Sequence, residues 1–448
     1  MLLAAVIACL GSFSVATAAD YAVNSADEFV TAWNQAAASN EASTITITVP
    51  SGSDNITLTQ EQRAQLNAIS GTGNVTVQMA DASNQLINFN YDLVNNQVSF
   101  NDITLKELPG SDNDIVVANA STTTTIDGRN IAIKGANDAA NPRTVGATVT
   151  STNGQVGIGD NVSMEKAVTV TGQATQTVDP ATPPTGQAYT RTTYNTYNNS
   201  NEQAVVLGNN TMQDTVTATG QIVSDPASKV ALNGDVTSTA GIGTVTTEQF
   251  DASNTQTGKT VIDSMDDSVS GGIILGETTA GAVTLKTEGG NISLGDNSIL
   301  DGTTVSAESA DLNKTVYSND GGSWNTIAST EKLGTIEGSV TLGENTTVKG
   351  NSTLTADDNI AIGNNSVITG NTAADGVISA GGQISIGDGT QVLDNTATSD
   401  GKAAINLADG QTLYIGSGAI LSGNTSNGVS GSVQAGQNTR INVYTDAT

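Results

Sequence analysis

The chain has 448 residues and a formal charge of −29, because 44 Asp and Glu stand against only 15 Lys and Arg. It contains 48 Gly, no His, one Cys and 3% aromatic residues. These numbers argue against a nucleic-acid partner, zinc coordination by His and Cys, Ser–His–Asp catalysis and a disulfide framework.

Residues 1–19 form an uncharged apolar segment that closes with small residues. Ala16-Thr17-Ala18 fits the small-x-small pattern of a secretory cleavage site, although no Lys or Arg precedes the apolar run. Beyond it, no stretch reaches the ~18 apolar residues that a membrane-spanning helix requires. We predict a signal peptide over 1–19 and one exported domain over 20–448, with no direct membrane insertion and no C-terminal barrel.

A capping helix is predicted over residues 25–38. Ser25 can accept a hydrogen bond at the helix N-terminus, and Glu28 follows three residues later. The apolar residues that share one helical face are Phe29, Ala32, Trp33 and Ala36. One amphipathic helix followed by strands is what a stack of sheets needs to close its first end.

From residue 44 onward short strands alternate with Gly, Asn and Asp, and one unit recurs in the C-terminal half. It reads apolar–x–apolar–Gly, as in Ile360-Ala361-Ile362-Gly363, and in its last four copies an Asn stands eight residues after the glycine. The turn glycines are Gly295, Gly343, Gly363, Gly387 and Gly416, and the asparagines are Asn351, Asn371, Asn395 and Asn424. Counting the 48-residue step between Gly295 and Gly343 as two turns gives a period of about 23 residues. The earlier 49- and 68-residue steps then correspond to two and three turns.

This period predicts an all-β fold, a parallel β-helix (β-solenoid). Alternate side chains of a strand point the same way, so Ile360 and Ile362 are expected inside and Ala361 outside. The turn glycines are expected to permit a bend, and the four asparagines to form an amide ladder between turns ~4.8 Å apart. A string of antiparallel sandwiches is the alternative, but it needs modules of about 100 residues and larger aromatic cores.

Residues 172–203 are predicted to be a loop insertion that leaves the stack. They contain Asp179-Pro180 and Pro183-Pro184, and proline cannot donate to a β-ladder. They also contain Tyr189, Tyr194 and Tyr197, and tyrosine suits contact surfaces. A binding loop and a passive insertion are both consistent with this composition.

Several motifs resemble those of a known family. The Gly-Gly-x-Ile repeats of polymorphic outer-membrane proteins are similar to Gly271-Gly272-Ile273-Ile274, Gly289-Gly290-Asn291-Ile292 and Gly381-Gly382-Gln383-Ile384. Residues 367–372 and 420–425 resemble the companion motif, with Ile368 and Leu421 where the family carries phenylalanine. The helix and first strand also resemble the cap of pectin-lyase-like right-handed β-helices. The resemblance implies an autotransporter-type passenger on the bacterial outer surface, often adhesive.

We predict no catalytic and no cofactor-binding residues. Asp127-Gly128-Arg129 is the one tight acid–base cluster on an apparent turn, but Asp-Gly is an ordinary turn dipeptide. Asp266-Asp267 and Asp357-Asp358 could serve glycoside hydrolysis, yet neighbours in a strand point to opposite faces. A carbohydrate-active β-helix enzyme remains an alternative, supported by the fold resemblance.

Calcium is the one metal that the sequence leaves open. Asp160, Asp296 and Asp388 follow turn glycines and offer hard oxygen ligands, although no calcium-loop motif occurs. The expected function is adhesin-like surface display, with a host or neighbouring cell-surface protein or glycan as partner and outward polar rows for multivalent contact. A passive surface spacer is the other alternative.

Overall fold

The computed structural model describes residues 19–49, 55–80, 85–87, 97–106, 115–172, 174–197 and 203–447. Over these residues the chain is an all-β parallel solenoid with two helices. Each full coil contributes strands to three parallel sheets, here called faces A, B and C in chain order. The predicted signal peptide lies outside the described residues, except for Ala19.

Face A begins at Ile115–Val117 and then takes the second halves of two long strands, Thr125–Ile133 and Thr148–Ile158. Its later strands are Gln203–Leu207, Gln221–Ser224, Gly271–Leu275, Gly290–Leu294, Val340–Leu342, Ile360–Ile362, Ile384–Ile386, Thr412–Ile415 and Arg440–Val443. The pairing places Ile362, Ile386 and Ile415 in one column, so the interior is a ladder of aliphatic side chains.

Face B is a ten-stranded parallel sheet. Its strands are Arg143–Val145, Val162–Met164, Asn210–Met212, Lys229–Leu232, Glu277–Ala280, Ile299–Asp301, Thr347–Lys349, Val367–Thr369, Gln391–Leu393 and Ile420–Ser422. In the first coils a five-stranded parallel sheet takes the corresponding place, with strands Ala19–Val23, Ser43–Ile47, Val75–Met79, Val98–Asn101 and Asn119–Ala120.

Face C completes each coil, and its first strand is Asn55–Thr57. It consists of Asn55–Thr57, Gln85–Ile87, Thr104–Lys106, the first halves of Thr125–Ile133 and Thr148–Ile158, Val168–Thr171, Val216–Thr219, Val236–Thr239, Thr284–Glu288, Thr304–Glu308, Thr353–Ala356, Ile378–Ala380, Ile405–Leu407 and Val433–Ala435. A short sheet beyond face B contains Thr372–Ala373, Thr396–Ala397, Thr425–Ser426 and Val429–Ser430.

Helix α1, Ala26–Ala37, lies against the first two strands of the stack. The Ser25 side chain accepts a hydrogen bond from the Glu28 backbone N–H, which satisfies one of the free donors at the helix start. Its apolar face is buried and includes Phe29 and Trp33, whose ring centres lie 6.3 Å apart. A second helix, α2, spans Gln60–Ala64.

The turn glycines allow stacked coils to approach each other closely. A Cβ on Gly363 would lie 2.5 Å from the carbonyl carbon of Gly343, and one on Gly387 would lie 2.7 Å from that of Gly363. Left-handed backbone at this corner occurs two residues after the glycine, at Asn345 (φ 56°) and Asn365 (φ 56°). The glycines are therefore required by the spacing between coils, because a Cβ would strike the coil before it.

Candidate functional site

In the described part of the chain, three β-hairpins leave the solenoid at the same corner, between faces C and A. Arm 1 contains Ala174–Asp179 and Tyr189–Tyr197, arm 2 contains Gly241–Phe250 and Gln256–Val269, and arm 3 contains Ala310–Asp320 and Ser323–Ile336. They join edge to edge in one six-stranded antiparallel sheet, here called the lateral sheet. Arm 1 occupies the segment over 172–203 that was predicted as a loop insertion, and it folds as a β-hairpin.

The lateral sheet corrects the coil count inferred from the sequence. Ile158 pairs directly with Leu207 and Leu294 pairs directly with Leu342, so the 49- and 48-residue steps are each one coil that carries an arm. The 68-residue step between Gly208 and Gly276 contains two coils, of which the second carries arm 2. Step length alone does not distinguish two short coils from one coil with a hairpin.

The arms occupy alternate coils, and this spacing explains how they form one sheet. Arms follow face C strands Val168–Thr171, Val236–Thr239 and Thr304–Glu308, whereas single glycines, Gly220 and Gly289, turn the corner in the coils between. Two coils rise about 9.6 Å, and the two strands of a hairpin span the same distance. Neighbouring arms therefore meet at hydrogen-bonding distance without a gap.

Strand pairing fixes which side chains share a face of the lateral sheet. We call one face of the lateral sheet the front. On the front, one row of small side chains crosses all six strands, and we call it the floor row. Its members are Val178, Thr193, Thr246, Val261, Thr315 and Thr330. None of these residues is buried. The lateral sheet thus stands as a single layer with its front open to solvent.

A row of long side chains borders the floor row on the side of the hairpin tips. This tip row contains Arg191, Glu248, Lys259, Tyr317 and Ile327. The Arg191 Nε donates to Glu248 Oε2 at 2.9 Å, and the Lys259 Nζ lies 4.7 Å from the centre of the Tyr317 ring. These contacts fix the tip row as a charged and aromatic wall.

An aromatic pair stands just beyond the tip row. Tyr189 and Phe250 stack with ring centres 4.8 Å apart and an interplanar angle of 9°, and the Arg191 guanidinium lies 5.1 Å from the Phe250 centre. The Tyr189 hydroxyl donates to Asn254 Oδ1 at 2.6 Å. These rings are held by contacts between arm 1 and arm 2, so the pair exists only when the arms are joined.

A second row borders the floor row on the solenoid side. This root row contains Gln176, Asn195, Thr244, Asp263, Asn313 and Lys332. Gln176 Nε2 donates to Asn195 Oδ1 at 3.1 Å, and Asn195 Nδ2 donates to Thr244 Oγ1 at 2.8 Å. The front face therefore carries a floor row of Thr and Val between the charged and aromatic tip row and the polar root row. We call this surface the front groove, with the tip and root rows as its walls.

Each edge of the lateral sheet carries features that oppose pairing with a further strand, although only the arm 3 edge has register shifts. The outer strand of arm 3, Ser323–Ile336, is paired to its partner with three register shifts, and Lys332 and Glu331 lie on it. The outer strand of arm 1 ends at Asp179, directly before Pro180. Bulges, charges and proline are the features with which natural edge strands resist pairing with a further strand.

Three of the four predicted ladder asparagines form a buried amide column. Asn371 Nδ2 donates to Asn395 Oδ1 at 2.9 Å, and Asn395 Nδ2 donates to Asn424 Oδ1 at 3.0 Å. Asn351 does not belong to the column: it is exposed, with φ 72°, and Ser352 donates its backbone N–H to Asn371 Oδ1 in its place. A second buried column, of hydroxyl side chains at the corner between faces A and B, was not predicted and includes Thr346, Ser366 and Thr390.

Of the carboxylates considered for catalysis, Asp127, Asp267, Asp357 and Asp358 contact residues that are distant in the sequence. Asp127 pairs with Lys106 at 3.5 Å, and Asp267 accepts from Thr196 at 3.2 Å. Asp357 accepts from the backbone of Ser309, while Asp358 accepts from the Ser339 hydroxyl, each at 2.9 Å. Neighbouring carboxylates thus bind different partners.

The carboxylates considered for calcium link successive coils. Oδ1 of Asp296 accepts from the Glu344 N–H at 2.7 Å, and Oδ1 of Asp388 accepts from the Ser417 N–H at 2.7 Å. Asp160 Oδ1 accepts in the same way from Asn209 at 2.8 Å. Within the described ranges no three Asp, Glu or Cys side chains form a group that could hold a metal ion.

A cleft of about 380 Å³ lies where the lateral sheet joins face A. Gly271 and Gly272, from one of the Gly-Gly-x-Ile motifs, form part of its lining, together with the exposed side chains of Met265 and Ile274. A Cβ on Gly290 would lie 2.1 Å from the Gly271 carbonyl oxygen, so close contact between coils accounts for this glycine.

The architecture defines the class of protein as an all-β parallel solenoid that carries a lateral antiparallel sheet. No family model, no curated protein and no solved structure matches the chain. In the part of the chain that the structure describes, no helix has the length and apolar character needed to cross a bilayer.

Proposed function

We propose that the chain is a secreted or surface-displayed β-solenoid whose function is adhesin-like attachment to a cell surface or matrix. The observation that carries the proposal is the lateral sheet, whose front side chains are half-exposed and whose three arms are anchored at one corner of a stacked core. An extended surface on a stacked scaffold suits multivalent contact, because its groups are ordered before a partner binds.

An autotransporter-type passenger on the outer surface of a bacterium is the finer form of this proposal. The Gly-Gly-x-Ile motifs, the apolar segment over 1–19 and the N-terminal helix support it. The strongly acidic exterior favours a soluble display module, since like charges keep copies apart.

The test removes the arms and keeps the coils. Residues 172–202, 240–270 and 309–337 are each replaced by one glycine, the length of the natural corners at Gly220 and Gly289. We expect a folded solenoid, shown by β-type circular dichroism and a cooperative thermal transition, that no longer attaches to cultured cells or immobilised matrix proteins.

The matched control shortens another exposed corner of the same molecule. Removal of 399–401 gives that corner the length of the equivalent one over 374–377, and attachment should be unchanged. Full attachment by the armless protein would contradict the proposal and favour a passive spacer. Turnover of acidic polysaccharides that is lost in Asp127→Asn would favour the enzyme instead.

A further inference from the structure

The front groove of the lateral sheet has the dimensions of a site for an extended chain. Its floor row crosses six strands, which is about 24 Å at the usual strand spacing. The tip and root rows lie on either side, each about 7 Å from the floor row along the strands. An extended chain of this length can follow the floor row from one edge of the lateral sheet to the other.

The groove carries three basic and two acidic side chains, in contrast to the acidic rest of the molecule, and one of the basic side chains, Lys332, is paired with Asp311 at 2.6 Å. Its walls carry Arg191, Lys259 and Lys332 against Glu248 and Asp263, while the whole chain has 44 acidic and 15 basic residues. A polyanion would meet the long-range repulsion of a −29 chain and the two wall carboxylates. A polycation would have no excess of negative charge in the groove to bind.

The polar groups of the groove comprise both donors and acceptors. Arg and Lys donate, Asp and Glu accept, and the hydroxyls of Thr193, Thr246 and Thr315 can do either. A hydroxyl-rich ligand presents the same mixture, so both of its functions can be satisfied. The Tyr189–Phe250 pair beside the tip row adds apolar ring surface.

A peptide strand is a poorer fit than a sugar chain. Extended peptides join sheets through free edges, and both edges of the lateral sheet carry features that oppose such pairing. The front groove, in contrast, offers side chains alone. From these observations we propose that the front groove binds a neutral linear glycan, an inference that rests on the proposed attachment function and names its ligand.

The test fills the floor without changing the fold. Thr246→Trp places a large ring in the middle of the groove, and Thr247→Trp places the same ring on the opposite face of the same strand. Both positions are half-buried, and aromatic residues are well tolerated in strands. Circular dichroism and thermal unfolding should be alike for the two variants.

The probes are linear hexasaccharides of glucose, mannose, xylose, galactose and N-acetylglucosamine, and polygalacturonate and heparin serve as polyanionic comparison ligands. The affinity of the protein for each ligand is measured by isothermal titration calorimetry. We expect at least one neutral hexasaccharide to bind, with affinity reduced at least tenfold by Thr246→Trp and changed less than twofold by Thr247→Trp. Absence of binding by all five, binding of the polyanions alone, or equal losses in the two variants would each overturn the inference.

The outcome is separable from the test of attachment. If the armless protein fails to attach while the intact protein binds none of the neutral glycans, attachment stands and the glycan inference is wrong. If glycan binding is present but the armless protein attaches fully, the groove is a glycan site and the proposed function is wrong.

Discussion

The buried asparagine column provides a sharp test of the stacked architecture, and Asn395→Ala is the substitution of choice. Asn395 is fully buried; its Oδ1 accepts from Asn371 at 2.9 and 3.1 Å, and its Nδ2 donates to the Ile368 carbonyl at 2.9 Å. Truncation leaves these donors and this carbonyl without their partner. Each buried polar group left unsatisfied costs about 1–3 kcal/mol, so we expect the free energy of unfolding to fall by about 3–5 kcal/mol.

The assay combines urea unfolding, followed by circular dichroism, with hydrogen exchange. Coils of a solenoid contact only their neighbours, so faster exchange should concentrate in strands such as Val367–Thr369, Gln391–Leu393 and Ile420–Ser422. The strands of the first coils should keep their protection.

Asn351→Gly is the matched control because the sequence motif treats both asparagines alike. Asn351 is exposed at φ 72°, a conformation that glycine adopts freely, and it makes one exposed hydrogen bond to the Thr372 N–H at 3.0 Å. We expect a loss below about 1 kcal/mol. Equal losses in the two variants, or a loss below about 1 kcal/mol in Asn395→Ala, would refute the reasoning.

Three further outcomes follow from the same packing. Ile362→Asp should lower the free energy of unfolding by at least about 3 kcal/mol in urea titrations, because Ile362 is 3% exposed. Ala361→Asp, on the outer side of the same strand, should stay within about 0.5 kcal/mol of the parent. Similar losses in the two variants would mean that the inner and outer faces are wrongly assigned. Gly387→Ala should lower the free energy of unfolding by about 1–3 kcal/mol, because its Cβ would lie 2.7 Å from the preceding coil. Gly157→Ala should leave the free energy of unfolding almost unchanged in the same measurement, because a Cβ there would meet open space. Hydrogen bonds to Glu288 and then Glu308 raise the pKa of Lys286 above its ordinary value of 10.5, so its contribution is present below pH 10.5 and lost as the pH rises through the raised pKa. Lys286→Met should therefore lower the melting temperature at pH 7, by the equivalent of at most about 1 kcal/mol, and leave it unchanged at strongly alkaline pH; a deficit that persists there would assign the effect to packing.

Local pattern was sufficient to predict the solenoid. Alternation in segments such as Ile360–Ile362 and Ile384–Ile386 depends on the two-residue period of a strand, which every coil repeats. The N-terminal helix was equally accessible, because its cap and its apolar face lie within a dozen residues. Parallel stacking followed from the period, since one coil buries too few apolar side chains to be stable alone.

The lateral sheet could not be predicted because its strands carry no burial pattern. Both of its faces are half-exposed, so the alternation that marks coil strands is absent from segments such as Tyr189–Tyr197 and Gln256–Val269. The available signal was step length, because the steps of 48 and 49 residues exceed neighbouring steps of 19 and 20 residues by nearly 30 residues. In the structure Leu294 pairs directly with Leu342, so this excess belongs to a single coil. The front groove depends on register between three separated hairpins, which single-strand patterns do not contain.

Two coils along the solenoid axis span the same distance as the two strands of one hairpin. This match restricts how the lateral sheet can change in size. A hairpin placed at Gly220 or Gly289 would have to insert where two existing arms already share hydrogen bonds. Enlargement without rupture is open only at the margins, by duplication of a two-coil block together with its hairpin. The width of the lateral sheet can therefore change only in steps of one hairpin, and each step lengthens the solenoid and widens the lateral sheet by the same distance.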